Sequence, residues 1–255
     1  MTRTKVFVGV LVFTLVLILC FGTTVHAGSP TLNPPELNPP ELNPPDLKAP
    51  DIHTDNHPSS SQDNTPSGTN QPALDFTRGD TSIDFIHKEI IKNLDSKELK
   101  EIKNDWNCCW GLKKPKALYK FYQVVKANGP WDHKPQLQKL MNLRKIDDFY
   151  YPIKGDNQHE YFYDLYSNIH YAYIGRAAGL PESLLTRASN VHLPGVGRTD
   201  PGDNISLDIG YELYDKHKGD PSKLTAEEIR QAILAKRKKY ESVETTQVQG
   251  IKDGK

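Results

Sequence analysis

Residues 164–179 read DLYSNIHYAYIGRAAG, and the spacing of polar and apolar positions in this stretch is that of an α-helix. Four of its residues recur at helical spacing and fall on one narrow stripe: Asp164, Asn168, Tyr171 and Gly175. A polar stripe that ends in glycine indicates the close approach of another backbone or of a ligand. His170 falls on the opposite side of this helix, where a packed or surface role is commoner than a catalytic one.

Helical patterns also dominate the sequence on both sides of this stretch. Apolar residues recur every three or four positions from Ile83 to Leu94, which places them on one helix face. Further helices are predicted around Leu99 and Ile102, from Pro115 to Asn128, from Pro181 to Ala188, from a cap at Asp203 to about His217, and after a capping box at Thr225 and Glu228.

Two aromatic runs interrupt the helical pattern before residue 164. Residues 149–151 (FYY) and 161–163 (YFY) flank KGDN at 154–157, and this arrangement predicts a β-hairpin. The predicted fold class is therefore mainly α (α+β): a compact helical domain with one small β-hairpin, preceded by a disordered proline-rich spacer.

The sequence before residue 78 has a different composition. Residues 1–27 have the pattern of a secretory signal peptide, with Arg3 and Lys5 before an apolar run and small residues at a cleavage site after Ala27. A membrane anchor is the alternative, but the run is shorter than the roughly 20 residues of a spanning helix. We therefore predict a secreted protein, extracellular or periplasmic, with no stable membrane span after cleavage.

Residues 28–77 are predicted to form a disordered spacer. The pattern LNPPE/D occurs three times from Leu32, and 11 of the 19 prolines precede residue 77. Paired prolines favour extended chain over helix or strand, and the polar residues that follow offer little to bury. A proline-motif ligand is the alternative to a plain spacer.

The net charge of zero is a sum of two unlike parts. The chain has 32 basic and 32 acidic residues, but the spacer is acidic and the part from Arg78 onward carries 29 basic and 25 acidic residues. The total excludes nucleic-acid binding by bulk charge, whereas the mildly basic domain permits a phosphate-bearing substrate. Three cysteines exclude a dense disulfide scaffold.

Cys108 and Cys109 are adjacent and give little basis for cysteine chemistry. Neighbouring cysteines need a strained ring to form a disulfide, and no metal-ligand spacing accompanies them. We predict that both are buried as small apolar residues, with a bridge to another molecule as the alternative. No metal and no cofactor is predicted.

Residues 128–135 (NGPWDHKP) form the first candidate site segment. A Gly-Pro turn presents Asp132, His133 and Lys134 in succession, which can supply an acid, a base and a cation to one substrate. The alternative is that Asp132 only caps the helix that follows, with Trp131 packed beneath it.

Residues 198–204 (RTDPGDN) form a second candidate segment. Asp200 and Asp203 are candidates for a general acid or base, yet Asp-Pro-Gly-Asp is also an ordinary turn that caps a helix. Asn204 begins a glycosylation sequon, which has meaning only in a eukaryotic host. Arg176 projects at another angle of the helix at 164–179, as an ion-pair partner or a phosphate ligand.

Three segments together resemble the bacterial toxin 44 domain of polymorphic toxin systems: GPWDHK at 129–134, NIHYAYIGRAAG at 168–179, and DPGD at 200–203 leading to IGYELY at 209–214. The resemblance spans roughly Ile83 to Tyr214. It implies a toxin domain, here assigned to residues 78–218 and followed by a C-terminal helix and tail at 219–255. It also implies delivery against other cells and a possible cognate immunity protein, although this chain has its own signal peptide and spacer where such toxins carry a long secretion scaffold.

Two hydrolytic functions and one binding function follow as hypotheses. The first is metal-independent hydrolysis of target-cell RNA, with Asp132 or His133 as base, a second His or Asp as acid, and Lys134 with Arg176 holding phosphate. The second is hydrolysis of peptidoglycan by Asp132 with Asp200 or Asp203. The third is a non-catalytic module that binds a partner through the aromatic hairpin around Tyr150 and Tyr161. The candidate catalytic residues are Asp132, His133, Lys134, Asn168, His170, Arg176, Asp200 and Asp203.

Overall fold

The structure is a computed structural model that describes residues 74–190 and 200–251, all of which belong to one unit by their mutual contacts. The predicted signal peptide, the LNPPE/D repeats with the rest of the spacer up to residue 73, and Arg198 lie outside the described residues. Within the described part of the chain, no helix is both long and apolar enough to cross a membrane.

Helices make up most of the described residues. In chain order they are α1 (Thr77–Leu94), α2 (Lys97–Asn107), α3 (Lys114–Val125), α4 (Lys134–Leu140), α5 (Leu165–Ala177), α6 (Glu182–Ser189), α7 (Pro201–His217), α8 (Ala226–Ala235) and α9 (Arg237–Glu241). Short 3-10 turns occur at Cys109–Gly111, Ile146–Phe149 and Pro221–Lys223. The prediction of a mainly helical domain is confirmed.

The core is built around α5, which is buried on nearly every side. Its most extensive partner is α7, and α1 packs against another of its faces. Gly210 of α7 makes the tight approach possible, because a Cβ atom there would lie 2.5 Å from the carbonyl oxygen of Ile169. The close approach that we predicted at Gly175 involves side chains instead of a backbone, with a Cβ atom there meeting Leu185 at 2.6 Å.

The predicted hairpin is present as part of a slightly larger sheet. Strands β1 (Tyr150–Tyr151) and β2 (His159–Phe162) are antiparallel, with Tyr151 opposite Tyr161. A third strand, β3 (Val248–Gly250), pairs antiparallel with the other edge of β2. Tyr151 and Tyr161 are both buried, so the centre of the aromatic hairpin contributes to the core and not to an exposed binding surface.

Two helix starts are fixed by reciprocal capping. Thr225 Oγ1 accepts from the Glu228 N–H, and Glu228 Oε2 accepts from the Thr225 N–H, which confirms the predicted capping box. The prediction that Asp203 caps α7 is wrong, because Asp200 is the N-cap residue and accepts from the N–H groups of Gly202 and Asp203. Asp203 stands three residues later and returns a bond from the Asp200 N–H at 2.9 Å.

The turn between α2 and α3 differs from the prediction. Cys108 and Cys109 are joined to each other by a disulfide, and Cys109 is exposed. The predicted burial of both cysteines is therefore wrong. The reason is that α2 ends at Asn107, so the two cysteines lie in the connecting turn and not on a packed helix face.

Candidate functional site

Three carboxylates meet where the N-terminal ends of α5 and α7 lie beside the segment that leads into β3. We call Asp164, Asp200 and Asp203 the carboxylate cluster. Lys134 from the start of α4, Asn168 from α5 and Gln247 from the residue before β3 complete its hydrogen bonds. The structure thus brings together Lys134, Asn168, Asp200 and Asp203 from the predicted candidates.

Asp164 is the charged partner of Lys134. The Lys134 ammonium lies 3.0 Å from Asp164 Oδ2, and the other oxygen, Oδ1, accepts from Gln247 Nε2 at 2.8 Å. Burial opposes the charge on Lys134, but the neighbouring Asp164 carboxylate prevails and raises the pKa of Lys134. The Lys134 side chain is 40% exposed and the Asp164 side chain 14%, so solvent reaches this pair.

Asp203 has a different environment from Asp164. Its Oδ1 accepts from Asn168 Nδ2 and from Gln247 Nε2, each at 2.8 Å. Burial raises the pKa of Asp203 to about 6, and the nearby charge of Asp164 adds to this, while the hydrogen bond from the Asp200 backbone opposes it. The Asp203 carboxyl group is therefore mostly protonated below about pH 6, whereas an ordinary aspartate loses its proton near pH 4.

A single amide links Asp164 and Asp203. Gln247 Nε2 lies 2.8 Å from Oδ1 of each, so these two carboxylate oxygens are at most about 5.6 Å apart. Gln247 is almost completely buried, and its Oε1 has no hydrogen-bond partner among the described residues. Sequence reasoning missed Gln247, because it lies in a short polar segment with no periodicity.

Asp200 has an architectural role beside this pair. Besides capping α7, its carboxylate accepts from the hydroxyl of Thr245 and from both the N–H and the hydroxyl of Thr246, at 2.7 to 2.9 Å. Burial opposes the charge, but the bonds from Thr246, Thr245 and Asp203 lower the pKa of Asp200. Asp200 thereby ties residues 245–247 to the start of α7 and places Gln247 in the cluster.

Asp132 closes a turn. Its Oδ2 accepts from the Asn128 N–H at 2.8 Å and its Oδ1 from the Lys134 N–H at 3.4 Å, while Trp131 is buried next to it. Trp131 is packed as the alternative predicted, but the N-cap residue of α4 is His133 and not Asp132, whose main contact closes the turn at Asn128. The contacts of Asp132 orient the backbone from which Lys134 reaches Asp164.

His133 and His170 meet each other, but in the core. Their ring centroids are 4.2 Å apart, and the two residues are 0% and 1% exposed. His133 Nδ1 contacts Gln136 Oε1 at 3.0 Å, and His170 Nε2 contacts Asn93 Nδ2 at 2.9 Å. Burial lowers the pKa of both histidines, and that of His170 falls well below its usual value. The structure gives neither imidazole a surface for a substrate.

Arg176 lies at the other end of α5 from the carboxylate cluster. It is twelve residues beyond Asp164, or about 18 Å along a helix. Its guanidinium contacts Asp215 at 3.1 Å and Glu182 at 3.6 Å. Arg176 thus forms internal ion pairs and does not reach a ligand held by Lys134.

The lysines of α3 are partly neutralised by the neighbouring α2. Lys120 lies 2.7 Å from Glu101 and 3.0 Å from Asp105, and Lys116 lies 3.5 Å from Asp105. Burial opposes the shift, but these carboxylates raise the pKa of Lys120.

Asn204 of the sequon is half-buried beside Asn190. Among the described residues, no group of three or more His, Cys, Asp or Glu is arranged to hold a metal ion.

The structure is thus a small, mainly helical domain in which the N-terminal ends of two neighbouring helices, α5 and α7, hold a cluster of carboxylates. The family model for bacterial toxin 44 matches residues 120–216, which include Lys134, Asp164 and Asp203 but not Gln247. This match supports the resemblance drawn from the sequence, over somewhat less than half of the chain, and the matched segment is similar to the bacterial toxin 44 domain. Neither curated proteins nor solved structures gave a match to the chain.

Proposed function

We propose that this chain is an exported bacterial toxin that hydrolyses the glycan of a target cell wall, with Asp203 and Asp164 as its two working carboxyl groups. The observation that carries the proposal is that Asp203 and Asp164 share the side-chain amide of Gln247 but have different environments. Asp203 has a pKa raised to about 6, while Asp164 is the charged partner of Lys134. Two carboxyl groups in unlike environments are the usual basis for separate acid and base roles.

The upper limit on the separation of the two groups is compatible with glycan cleavage that retains stereochemistry. Glycosidases that retain stereochemistry hold their carboxyl groups about 5 to 5.5 Å apart, and the limit of about 5.6 Å set by Gln247 includes that range. Asp203 would protonate the oxygen of the leaving sugar, and the Asp164 carboxylate would attack the anomeric carbon. Water would then release the sugar from Asp164 while Asp203 takes back a proton.

The carboxylate cluster also changes which residues the glycan hypothesis uses. The hypothesis drawn from the sequence paired Asp132 with Asp200 or Asp203. In the structure, Asp132 closes a turn. Asp200 accepts five hydrogen bonds from protein groups. Asp164, which the sequence placed only on a helix stripe, is the partner that lies close to Asp203. The cell-wall substrate also agrees with the predicted export, because an exported enzyme meets the wall before any RNA.

RNA hydrolysis is less well supported by the geometry. The hypothesis needs an accessible histidine or aspartate base and a phosphate clamp of Lys134 with Arg176. Both histidines are buried against each other, and Arg176 is committed to Asp215 and Glu182. Lys134 remains available for a phosphate only if it leaves Asp164.

The test compares the whole chain with single variants on two substrates. Labelled peptidoglycan sacculi and labelled single-stranded RNA are incubated with the wild type, Asp203→Asn, Asp164→Asn and the control Asp208→Asn. Asp208 is on the same helix as Asp203 but pairs with Lys239 at the surface. Loss of a positioned acid or nucleophile should lower the rate of glycan release at least about 100-fold, with the control unaffected.

A pH profile adds a readout that misfolding cannot imitate. The rate of glycan release by the wild type should fall as the pH rises through about 6, because Asp203 then loses the proton that it donates. Full activity of both asparagine variants, or cleavage of RNA with intact sacculi, would contradict the proposal. Circular dichroism of each variant establishes that the fold is retained.

A further inference from the structure

The turn between α2 and α3 carries the most exposed apolar side chains among the described residues. Residues 108–114 read CCWGLKK, and we call this segment the Trp110 tip. Trp110 is fully exposed, and Leu112 is 83% exposed. Large apolar groups held in water at neighbouring positions are unfavourable unless they serve a contact.

The backbone of the Trp110 tip is held in an uncommon conformation. Cys109 and Trp110 have φ angles of 59° and 54°, in the left-handed region that residues other than glycine seldom occupy, and Gly111 follows with 86°. The disulfide between Cys108 and Cys109 links the two residues at the entrance to this turn. Strained backbone of this kind is concentrated at sites of binding or catalysis.

Positive charge surrounds the Trp110 tip. Between Asp105 and Asp132 the sequence contains five lysines and no carboxylate. Three of these lysines are exposed: Lys113 and Lys114 within the tip, and Lys116 just after it. Lys114 also lies over the ring of Trp106, 4.7 Å from its centre. Tyr119, one turn further along α3, is 43% exposed. Tryptophan, tyrosine and lysine together are typical of protein segments at a membrane–water interface.

We propose that the Trp110 tip docks this protein on an anionic lipid bilayer, with Trp110 and Leu112 entering the headgroup region and the lysines contacting lipid phosphates. The exposed Leu112 favours a lipid over RNA, because a branched aliphatic side chain offers no flat face for a base. Lys116 and Lys120 already pair with Asp105, so the lysines proposed to contact lipid phosphates are Lys113 and Lys114, fewer cations than the four lysines of residues 113–120 would offer a nucleic-acid backbone. Two apolar side chains with a few lysines give weak and reversible attachment, not a permanent anchor.

The test measures binding of the whole chain to vesicles. The probes are vesicles of phosphatidylglycerol mixed with phosphatidylcholine, and vesicles of phosphatidylcholine alone. The double variant Trp110→Ser/Leu112→Ser is compared with the wild type, and Ile146→Ser is the matched control because Ile146 is 68% exposed on a different turn. Every protein carries the same N-terminal apolar run, so a difference between variants reports on the tip.

We expect wild type and Ile146→Ser to bind the anionic vesicles equally, and binding to weaken in high salt. The double variant should have a partition coefficient at least about tenfold lower, because each large apolar side chain that leaves water contributes to attachment. Brominated lipid should quench tryptophan fluorescence in the wild type but not in Trp110→Phe, whose remaining tryptophans are the buried Trp131 and the half-buried Trp106.

Three results would overturn the proposal. The first is equal partitioning of the wild type and the double variant. The second is quenching that persists in Trp110→Phe. The third is a dependence on Trp110 that is seen for binding of single-stranded RNA, or for self-association, and not for vesicles. None of these measurements depends on the activity of the carboxylate cluster, so they separate this proposal from the proposed glycan hydrolysis.

Discussion

Replacing His170 with glutamine should make the stability of the fold less sensitive to mild acid. In the wild type the buried imidazole stays neutral in the folded state, because burial and the neighbouring His133 hold the pKa of His170 well below its usual value. In the unfolded chain the same residue gains a proton below about pH 6.5. Glutamine does not titrate, and its carbonyl oxygen can still accept from Asn93.

The sign and the size of the effect follow from proton linkage. Below pH 6.5 the unfolded state binds a proton that folded His170 does not bind, so stability falls as the pH falls. The slope is at most about 1.4 kcal/mol per pH unit for one histidine, so the loss between pH 6.5 and pH 4.5 is at most about 2 kcal/mol. Asp203 acts in the opposite direction, since its raised pKa favours the folded state as the pH falls, but it is present in both proteins and cancels in the comparison.

The assay is urea unfolding at several pH values and constant ionic strength, followed by tryptophan fluorescence. The free energies of unfolding of the wild type and His170→Gln should converge, by up to about 2 kcal/mol, on going from pH 6.5 to pH 4.5. Leu185→Ala, which removes a buried side chain without touching a histidine, serves as the control for simple destabilisation and should follow the wild-type slope. Parallel curves for wild type and His170→Gln would refute the assignment of a buried neutral imidazole.

Three further substitutions test the packing and the caps. Gly210→Ala should lower the free energy of unfolding by about 2 kcal/mol or more, because the new methyl group would meet the Ile169 carbonyl oxygen at 2.5 Å. The control Gly219→Ala should change it little, because nothing lies within 4 Å of a Cβ atom there. Thr225→Ala should cost about 1 kcal/mol through the lost N-cap of α8, and calorimetry that shows no change would contradict the capping box. Asp200→Ala should speed amide exchange across 245–250, since it frees the bonds that tie this segment to α7, and unchanged protection there would argue against the tie.

The helices and the first hairpin could be predicted because their signals are local. In α5 the side of the helix that each residue occupies follows from spacing alone, and the His170 ring does lie away from Asn168, packed in the core. Strand β3 could not be predicted, because Val248, Gln249 and Gly250 form no recognisable pattern and become a strand only by pairing with β2.

The candidate site was predictable in part. Lys134, Asn168 and Asp203 stand at helix starts or on a polar stripe, where short polar side chains have recognisable positions. Their partner Gln247 could not be found, because it is 83 residues from Asp164 and is brought in by the sheet and by Asp200. The cysteines show the same limit, since the sequence does not reveal that α2 ends before Cys108.

The late position of Gln247 in the chain also determines when the carboxylate cluster can exist. A ribosome or an export channel delivers the chain from its N-terminus, so Asp164 emerges 83 residues ahead of the amide that links it to Asp203. Contacts this distant in sequence close slowly, after the local helices have formed. The arrangement proposed to carry out hydrolysis is therefore absent until residue 247 has left the ribosome or the channel that delivers the chain.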